Sequence, residues 1–279
     1  MDTETQGRHK PLAALEAEID RLEARLRGSA DDLTRLRAAF ALAAKAQQNV
    51  RHELAEIRDT WEDLHYQWWW ITLTGVLALF VCSYFFYTNL GWYADQRVLP
   101  PGSDALLDKL PTLNLLPLLS WGWMAAHLYA AVHAILYYPR KMPFLLFLLG
   151  SFIGVRSVFV FLSPMGAPAG MLDMSKLDYV FSRIMGTYTF QNEFVFSGHT
   201  GIPFLFSLFF ESKLHKRLFL GVSIVMAAAC LLTRNHYSVD ILGAYFMGYA
   251  IFVLSRDVYF QRIRPIFLKH PIRDPLARP

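Results

Sequence analysis

The stretch WWWITLTGVLALFVCSYFFYT, residues 68–88, decides the fold class of this chain. It contains no Asp, Glu, Lys or Arg, and a helix needs about 20 predominantly apolar residues to cross a bilayer core. Five further apolar runs cover residues 113–138, 143–163, 194–212, 217–234 and 237–256. Because 54% of the 279 residues are hydrophobic, a soluble domain could not bury all of these runs. The sequence therefore predicts an all-α membrane domain with six spanning helices.

The N-terminal 66 residues are polar by comparison, with an apolar residue every three or four positions from Leu12 to Leu64. This heptad stripe predicts helices with one apolar face. The segment GSADD, residues 28–32, is typical of a helix stop and restart. We favour a hairpin of two cytosolic helices. One continuous coiled coil and a helix lying on the inner membrane surface are the alternatives. An apolar seam of this kind could also join copies of the chain into a homo-oligomer.

Basic residues are concentrated in alternate loops. Arg140 and Lys141 lie in one such loop, the segment 213–217 contains three more basic residues, and the tail 257–279 is also basic. The positive-inside rule makes these loops and both termini cytosolic. The net charge of +4 therefore reflects the orientation of the chain in the membrane and does not indicate a nucleic-acid-binding surface. The chain then consists of a helical segment (1–66), a six-span membrane domain (67–256) and a basic cytosolic tail.

Two short sequence words contain the residues with the most chemistry. The first is Ser197-Gly198-His199-Thr200 and the second is His236-Tyr237-Ser238-Val239-Asp240. The predicted topology brings both words to the outer surface. A spacing of four places His236 and Asp240 on one face of a helix. The carboxylate can then accept a hydrogen bond from one ring nitrogen and leave the other free to attack. With His199 as a second histidine, the pattern indicates phosphoryl transfer through a histidine.

Four other residues are candidates for binding a substrate. A phosphodiester is anionic, so a cation should face it. We favour Arg156, because an arginine inside a membrane span is costly and usually functional, over Arg234, which could instead lie among lipid headgroups. Glu193 could orient a histidine or be a solvated loop acid. Tyr237 could contact the substrate or anchor its helix at the interface.

The two words resemble the sphingomyelin synthase family of the lipid phosphatase superfamily. That family has Cys-Gly-Asp, three residues, and then Ser-Gly-His-Thr, where this chain keeps only the acid of the triplet 191–193. Its second word, His-Tyr-Thr, one residue and Asp, matches residues 236–240 with Ser in place of Thr. The segment LPPGSD, residues 99–104, is a weaker similarity to the family's loop after the first span. The resemblance covers residues 68–256 and not the N-terminal helices.

This resemblance implies an integral membrane enzyme that moves a phosphoryl headgroup from a glycerophospholipid to a lipid alcohol such as ceramide. His236 would be the nucleophile and Asp240 would orient its ring. His199 would protonate the departing diacylglycerol oxygen and then accept the proton of the incoming alcohol. The active site would lie on the extracytoplasmic or lumenal side. No spacing matches a zinc-ligand set and the family mechanism is metal-independent, so we expect no metal and no cofactor.

A lipid phosphate phosphatase, with water as the acceptor, is the alternative. The general phosphatase branch carries three signatures, and the chain lacks the first, a Lys followed after six residues by Arg-Pro. Phe196 stands where the second signature has Pro, and Cys230 stands where the third has Arg. These differences favour the synthase-like branch. A membrane scaffold without activity is the remaining, non-enzymatic hypothesis.

Overall fold

The computed structural model describes residues 12–25, 30–62, 67–173 and 192–265, and this part of the chain is helical, with turns and two isolated bridges. It separates into two compact units, Met1–Asp59 and Thr60–Pro279.

Two helices account for the described part of the N-terminal unit, α1 (Leu12–Arg25) and α2 (Ala30–Glu62), the second of which runs on past Asp59. Val50 and Leu54 of the heptad stripe are exposed on α2. The stop at Gly28 lies outside the described residues. The hairpin and the coiled coil therefore both stay predictions.

The second unit contains six α-helices in its described ranges. They are α3 (Gln67–Asp95), α4 (Trp123–Tyr137), α5 (Met142–Leu162), α6 (Gly198–Phe209), α7 (Lys213–Leu232) and α8 (Ser238–Val258). A π-helical segment, Leu118–Gly122, leads into α4, and another, Tyr259–Ile263, extends α8.

Four segments are long and apolar enough to cross a membrane: Thr72–Asp95, Pro139–Leu162, Lys213–Leu232 and Ser238–Ile263. They support an integral membrane protein. The other two predicted spans coincide with the helical stretch ending in α4 and with α6. With 12 residues, α6 is about 18 Å long, shorter than the roughly 30 Å of a bilayer core. That the chain crosses the membrane six times therefore stays a proposal.

Helix α6 packs against both α7 and α8 and joins the three into one block, and α3 packs along α5. A β-carbon on Gly201 would lie 2.6 Å from the ring of Phe152, so only glycine lets α6 approach α5 at this point. The Ser223 hydroxyl of α7 donates to the carbonyl of Thr200 at 2.8 Å and lies 3.2 Å from the hydroxyl of Tyr245 on α8. Such hydrogen bonds between helices hold membrane bundles together. This block carries both histidine words.

Candidate active site

The two histidine words meet at the starts of α6 and α8. Ser197 caps α6, because its hydroxyl accepts from the backbone N–H of Thr200 at 3.3 Å. The backbone N–H of the same serine donates to the carbonyl of Asp240 at 3.1 Å. One hydrogen bond therefore joins the two helix starts and brings both words to the same place.

His236 and Asp240 form a buried pair. His236 Nδ1 lies 3.3 Å from Asp240 Oδ2, which also accepts from the backbone N–H of Tyr237 at 2.9 Å. In the tautomer that donates from Nδ1 to this oxygen, Nε2 keeps its lone pair. The spacing had suggested that His236 lies inside the helix, but the residue lies just before α8, which begins at Ser238. The contact survives because Asp240, third in the helix, folds back to cap its start.

His199 faces His236. It is the second residue of α6, and the centroids of the two imidazole rings are 6.4 Å apart with 61° between their planes. The ring of Trp123 lies 5.4 Å from that of His199 on another side. Cys230 of α7 completes the group, since its sulfur and one ring nitrogen of each histidine all lie within 4.8 Å of one another. The structure thus brings together the three residues predicted to be catalytic and adds a thiol.

Arg156 and Glu193 form a buried ion pair, with side chains 7% and 17% exposed. The guanidinium donates to Glu193 Oε2 at 2.9 Å, and also to the carbonyls of Glu193 at 3.0 Å and Phe196 at 2.9 Å. The Tyr87 hydroxyl donates to the same carboxylate. Glu193 is therefore not a solvated loop acid. The pair ties α5 to the segment 193–196, which leads directly into the first histidine word.

Arg234 and Tyr237 connect the loops around the site. Arg234 has a φ of 57°, in the left-handed region, and its guanidinium donates to Thr112 Oγ1 at 2.8 Å and to the carbonyl of Ala169 at 3.1 Å. The Tyr237 hydroxyl donates to the carbonyl of Gly166 at 2.9 Å and accepts from the N–H of Gly102 at 2.7 Å.

Asp104 is a functional candidate that the sequence marked only through the similarity of its loop. Its carboxylate accepts from the backbone N–H of Ser238 at 2.6 Å, from that residue's hydroxyl at 3.0 Å and from the N–H of Leu107 at 3.0 Å. Burial opposes ionisation, but these hydrogen bonds outweigh it and hold the pKa of Asp104 below its ordinary value. The loop is thereby fixed to the start of α8.

Sequence reasoning also passed over His127. The Nδ1 of this histidine lies 2.8 Å from the carbonyl of Trp123, and the two rings are 3.8 Å apart. Because Trp123 contacts His199, His127 lies one aromatic ring behind the site. The spacing of four between Trp123 and His127, which places both on one face of α4, was the available signal.

Part of the chain matches a known protein family. Residues 192–257 match the family model described as PAP2 superfamily C-terminal, and this segment contains both histidine words. No curated protein and no solved structure matched the chain. Together with the apolar helices, the match supports a membrane enzyme of the lipid phosphatase superfamily, of phosphatase or phosphotransferase type.

Proposed function

We propose that this protein is a lipid phosphotransferase of the sphingomyelin synthase type. It would move a phosphoryl headgroup from a glycerophospholipid to a lipid alcohol such as ceramide. The observation that carries the proposal is the pair of histidines facing each other across 6.4 Å, one of them held by a buried carboxylate. This arrangement supplies a nucleophile on one side of a phosphorus atom and a proton donor near its leaving group.

In the first step, the His236 Nε2 lone pair attacks the donor phosphorus, and the bond from phosphorus to the diacylglycerol oxygen breaks. His199 gives its proton to that oxygen, so neutral diacylglycerol leaves. The headgroup phosphate stays on His236 as a phosphohistidine. Asp240 accepts a hydrogen bond from Nδ1–H throughout and stabilises the positive charge of the ring.

In the second step, the acceptor hydroxyl gives its proton to His199 and attacks the phosphorus, and the phosphorus–nitrogen bond breaks. A lipid alcohol yields the new phospholipid, whereas water would yield the free phosphorylated headgroup. The phosphatase alternative would begin instead from a phosphomonoester, whose lipid alcohol leaves as His236 Nε2 attacks, and water would then break the phosphorus–nitrogen bond and release inorganic phosphate.

The charges around the site favour a phosphodiester substrate. A diester carries one negative charge, whereas a phosphomonoester carries close to two at neutral pH. Among the described residues, the nearby guanidinium of Arg156 is already paired with Glu193. The starts of α6 and α8, each worth about half a positive charge, meet at the histidines and favour the single negative charge of a diester there.

Four residues are proposed to position the site around the substrate: Arg156, Glu193, Arg234 and Tyr237. Their polar groups hold the segment before His199 and the loops beside His236. This supports positioning roles better than direct contact with the phosphate.

Rapid quench of the purified enzyme with donor lipid labelled in its headgroup phosphate tests the covalent step. The wild type should yield an acid-labile, base-stable phosphohistidine, and His236→Ala should trap no label. His52→Ala, on the exposed surface of α2, is the matched control and should label normally. Label retained in His236→Ala would show that the nucleophile is misassigned. Transfer of label to ceramide, rather than release of phosphate from a phosphomonoester, would separate the two activities.

We further propose six spans, cytosolic termini and an active site on the extracytoplasmic or lumenal side. Support comes from the basic residues at the start of α7, at the opposite end of that helix from Cys230. In a Cys82→Ser background, an impermeant thiol reagent added outside should label Ser103→Cys, which is exposed beside the site, but not Lys213→Cys. Labelling of Lys213→Cys alone would reverse the orientation.

A further inference from the structure

Three potential metal ligands converge at the candidate active site. The Cys230 sulfur and one ring nitrogen of each of His199 and His236 lie within 4.8 Å of one another. With bonds of 2.0–2.3 Å to a tetrahedral Zn²⁺, such atoms would be about 3.3–3.6 Å apart. His199 is half-buried and the other two are buried, so binding would require the three ligand atoms to move closer together, with His199 the most accessible of them.

The hydrogen bond from His236 to Asp240 prepares the ring for metal binding as well as for attack. Its Nδ1–H points to the carboxylate, so Nε2 is the nitrogen that can bind a cation. Histidine ligands in metal sites almost always donate their other N–H to a carboxylate, carbonyl or water. The second oxygen of Asp240 is buried and has no hydrogen-bond partner among the described residues, so its charge also favours a cation here.

Cys230 gives the site its selectivity. Its side chain is fully buried, and the sulfur lies 3.8 Å from the Ser197 hydroxyl, its hydrogen-bond partner among the described residues. A bound metal would displace the thiol proton to solvent, leaving a thiolate. One sulfur and two imidazole nitrogens suit Zn²⁺ and poorly suit Mg²⁺ or Ca²⁺.

We propose that His199, Cys230 and His236 form a site for a soft divalent cation of the Zn²⁺ type, which blocks the enzyme. The bound cation occupies the Nε2 lone pair of His236 and the space between the two rings. Metal binding itself requires only these three side chains. The block of activity rests on the proposed function.

Cobalt titration of the full-length protein in detergent tests binding without any activity measurement. The wild type should take up one Co²⁺ with a thiolate-to-cobalt charge-transfer absorption, and Zn²⁺ should displace it. Cys230→Ser and Cys230→Ala should lose this absorption. They should also bind Zn²⁺ at least about 10- to 100-fold more weakly, because even the loss of a residue that only supports a metal ligand lowers metal affinity by that factor. Cys82→Ser, the same change at the exposed cysteine of α3, is the control and should keep both.

The outcomes separate the metal site from the proposed function. The metal site is contradicted if the wild type shows no thiolate-to-cobalt absorption. It is also contradicted if the absorption is lost in Cys82→Ser and kept in both Cys230 variants. Binding as expected in a protein that transfers no headgroup leaves the site standing and contradicts the function. In an active enzyme, Zn²⁺ should inhibit the wild type and Cys82→Ser alike. The activity that remains in either Cys230 variant should resist Zn²⁺, and equal sensitivity would overturn the block.

Discussion

Asp240 serves two partners with a single oxygen, the imidazole of His236 and the backbone N–H of Tyr237. The same atom therefore begins a helix and sets the tautomer of the proposed nucleophile. A carboxylate can do both because it has only acceptor sites. An amide in its place could present its NH₂ group to His236 and reverse the hydrogen bond.

Asp240→Asn should for this reason lower headgroup transfer by at least about 100-fold while the protein still folds. With the ring proton moved to Nε2, the nucleophilic lone pair faces the amide instead of the phosphorus. The initial rate of transfer and the yield of trapped phosphohistidine should fall together. Asp257→Asn, at the half-exposed end of the same helix, should change neither. A full yield of intermediate in Asp240→Asn would contradict the orienting role.

Glu193→Gln should destabilise the protein by about 3–5 kcal/mol, because it leaves the buried charge of Arg156 without its partner. Denaturant unfolding in detergent measures this loss. The double variant Arg156→Met with Glu193→Gln should lose less than the sum of the two single changes, since it removes the uncompensated charge. If Arg156 instead contacts the phosphate, Glu193→Gln should leave stability unchanged and alter KM for the donor lipid.

At the scale of whole elements, the loop that contains Asp104 is a clamp on the start of α8. Asp104→Asn should cost about 1.5–3 kcal/mol, since hydrogen bonds from Ser238 and Leu107 lose a charged acceptor. Asp108→Asn, an identical change at an exposed position of the same loop, is the control.

The same clamp predicts a dependence of stability on pH. The folded-state pKa of Asp104 lies below the unfolded value of about 3.9, so its contribution is complete above that pH and is lost as the pH falls through the folded pKa. The difference in unfolding free energy between wild type and Asp104→Asn should thus be largest at pH 7 and shrink at pH 3. An equal difference at both values would mean that the carboxylate charge plays no part.

The sequence predicted the elements of the site better than their contacts. Apolar runs and a four-residue spacing were enough to place His236 near Asp240, because both signals are local. The partners of Arg156 lie 37 and 40 residues away, and nothing local indicates which acceptor a buried guanidinium will find. The predicted fourth span, 194–212, is longer than the helix found there, since Ser197 starts α6 late and the backbone at Phe210 is extended.

For the whole molecule, the two units raise the question of what the N-terminal helices contribute. The second unit has its own aromatic core, which includes Phe152, Phe196 and Phe206, and it contains every residue proposed for catalysis. The first unit offers helices with exposed apolar residues and no described side chain of the site. We therefore propose that residues 1–59 organise copies of the chain and take no part in the chemistry.

Deletion of residues 1–59 should leave headgroup transfer per folded molecule within about twofold of the full chain, because the apolar helices supply their own drive for membrane insertion. The mass of the protein in detergent, measured by light scattering, should fall by more than the deleted segment if the seam joins two chains. An unchanged oligomeric state would mean that the seam closes within one chain, as a hairpin at Gly28 allows. Loss of transfer by a truncated chain that still elutes as a folded particle would instead make the segment part of the catalytic unit.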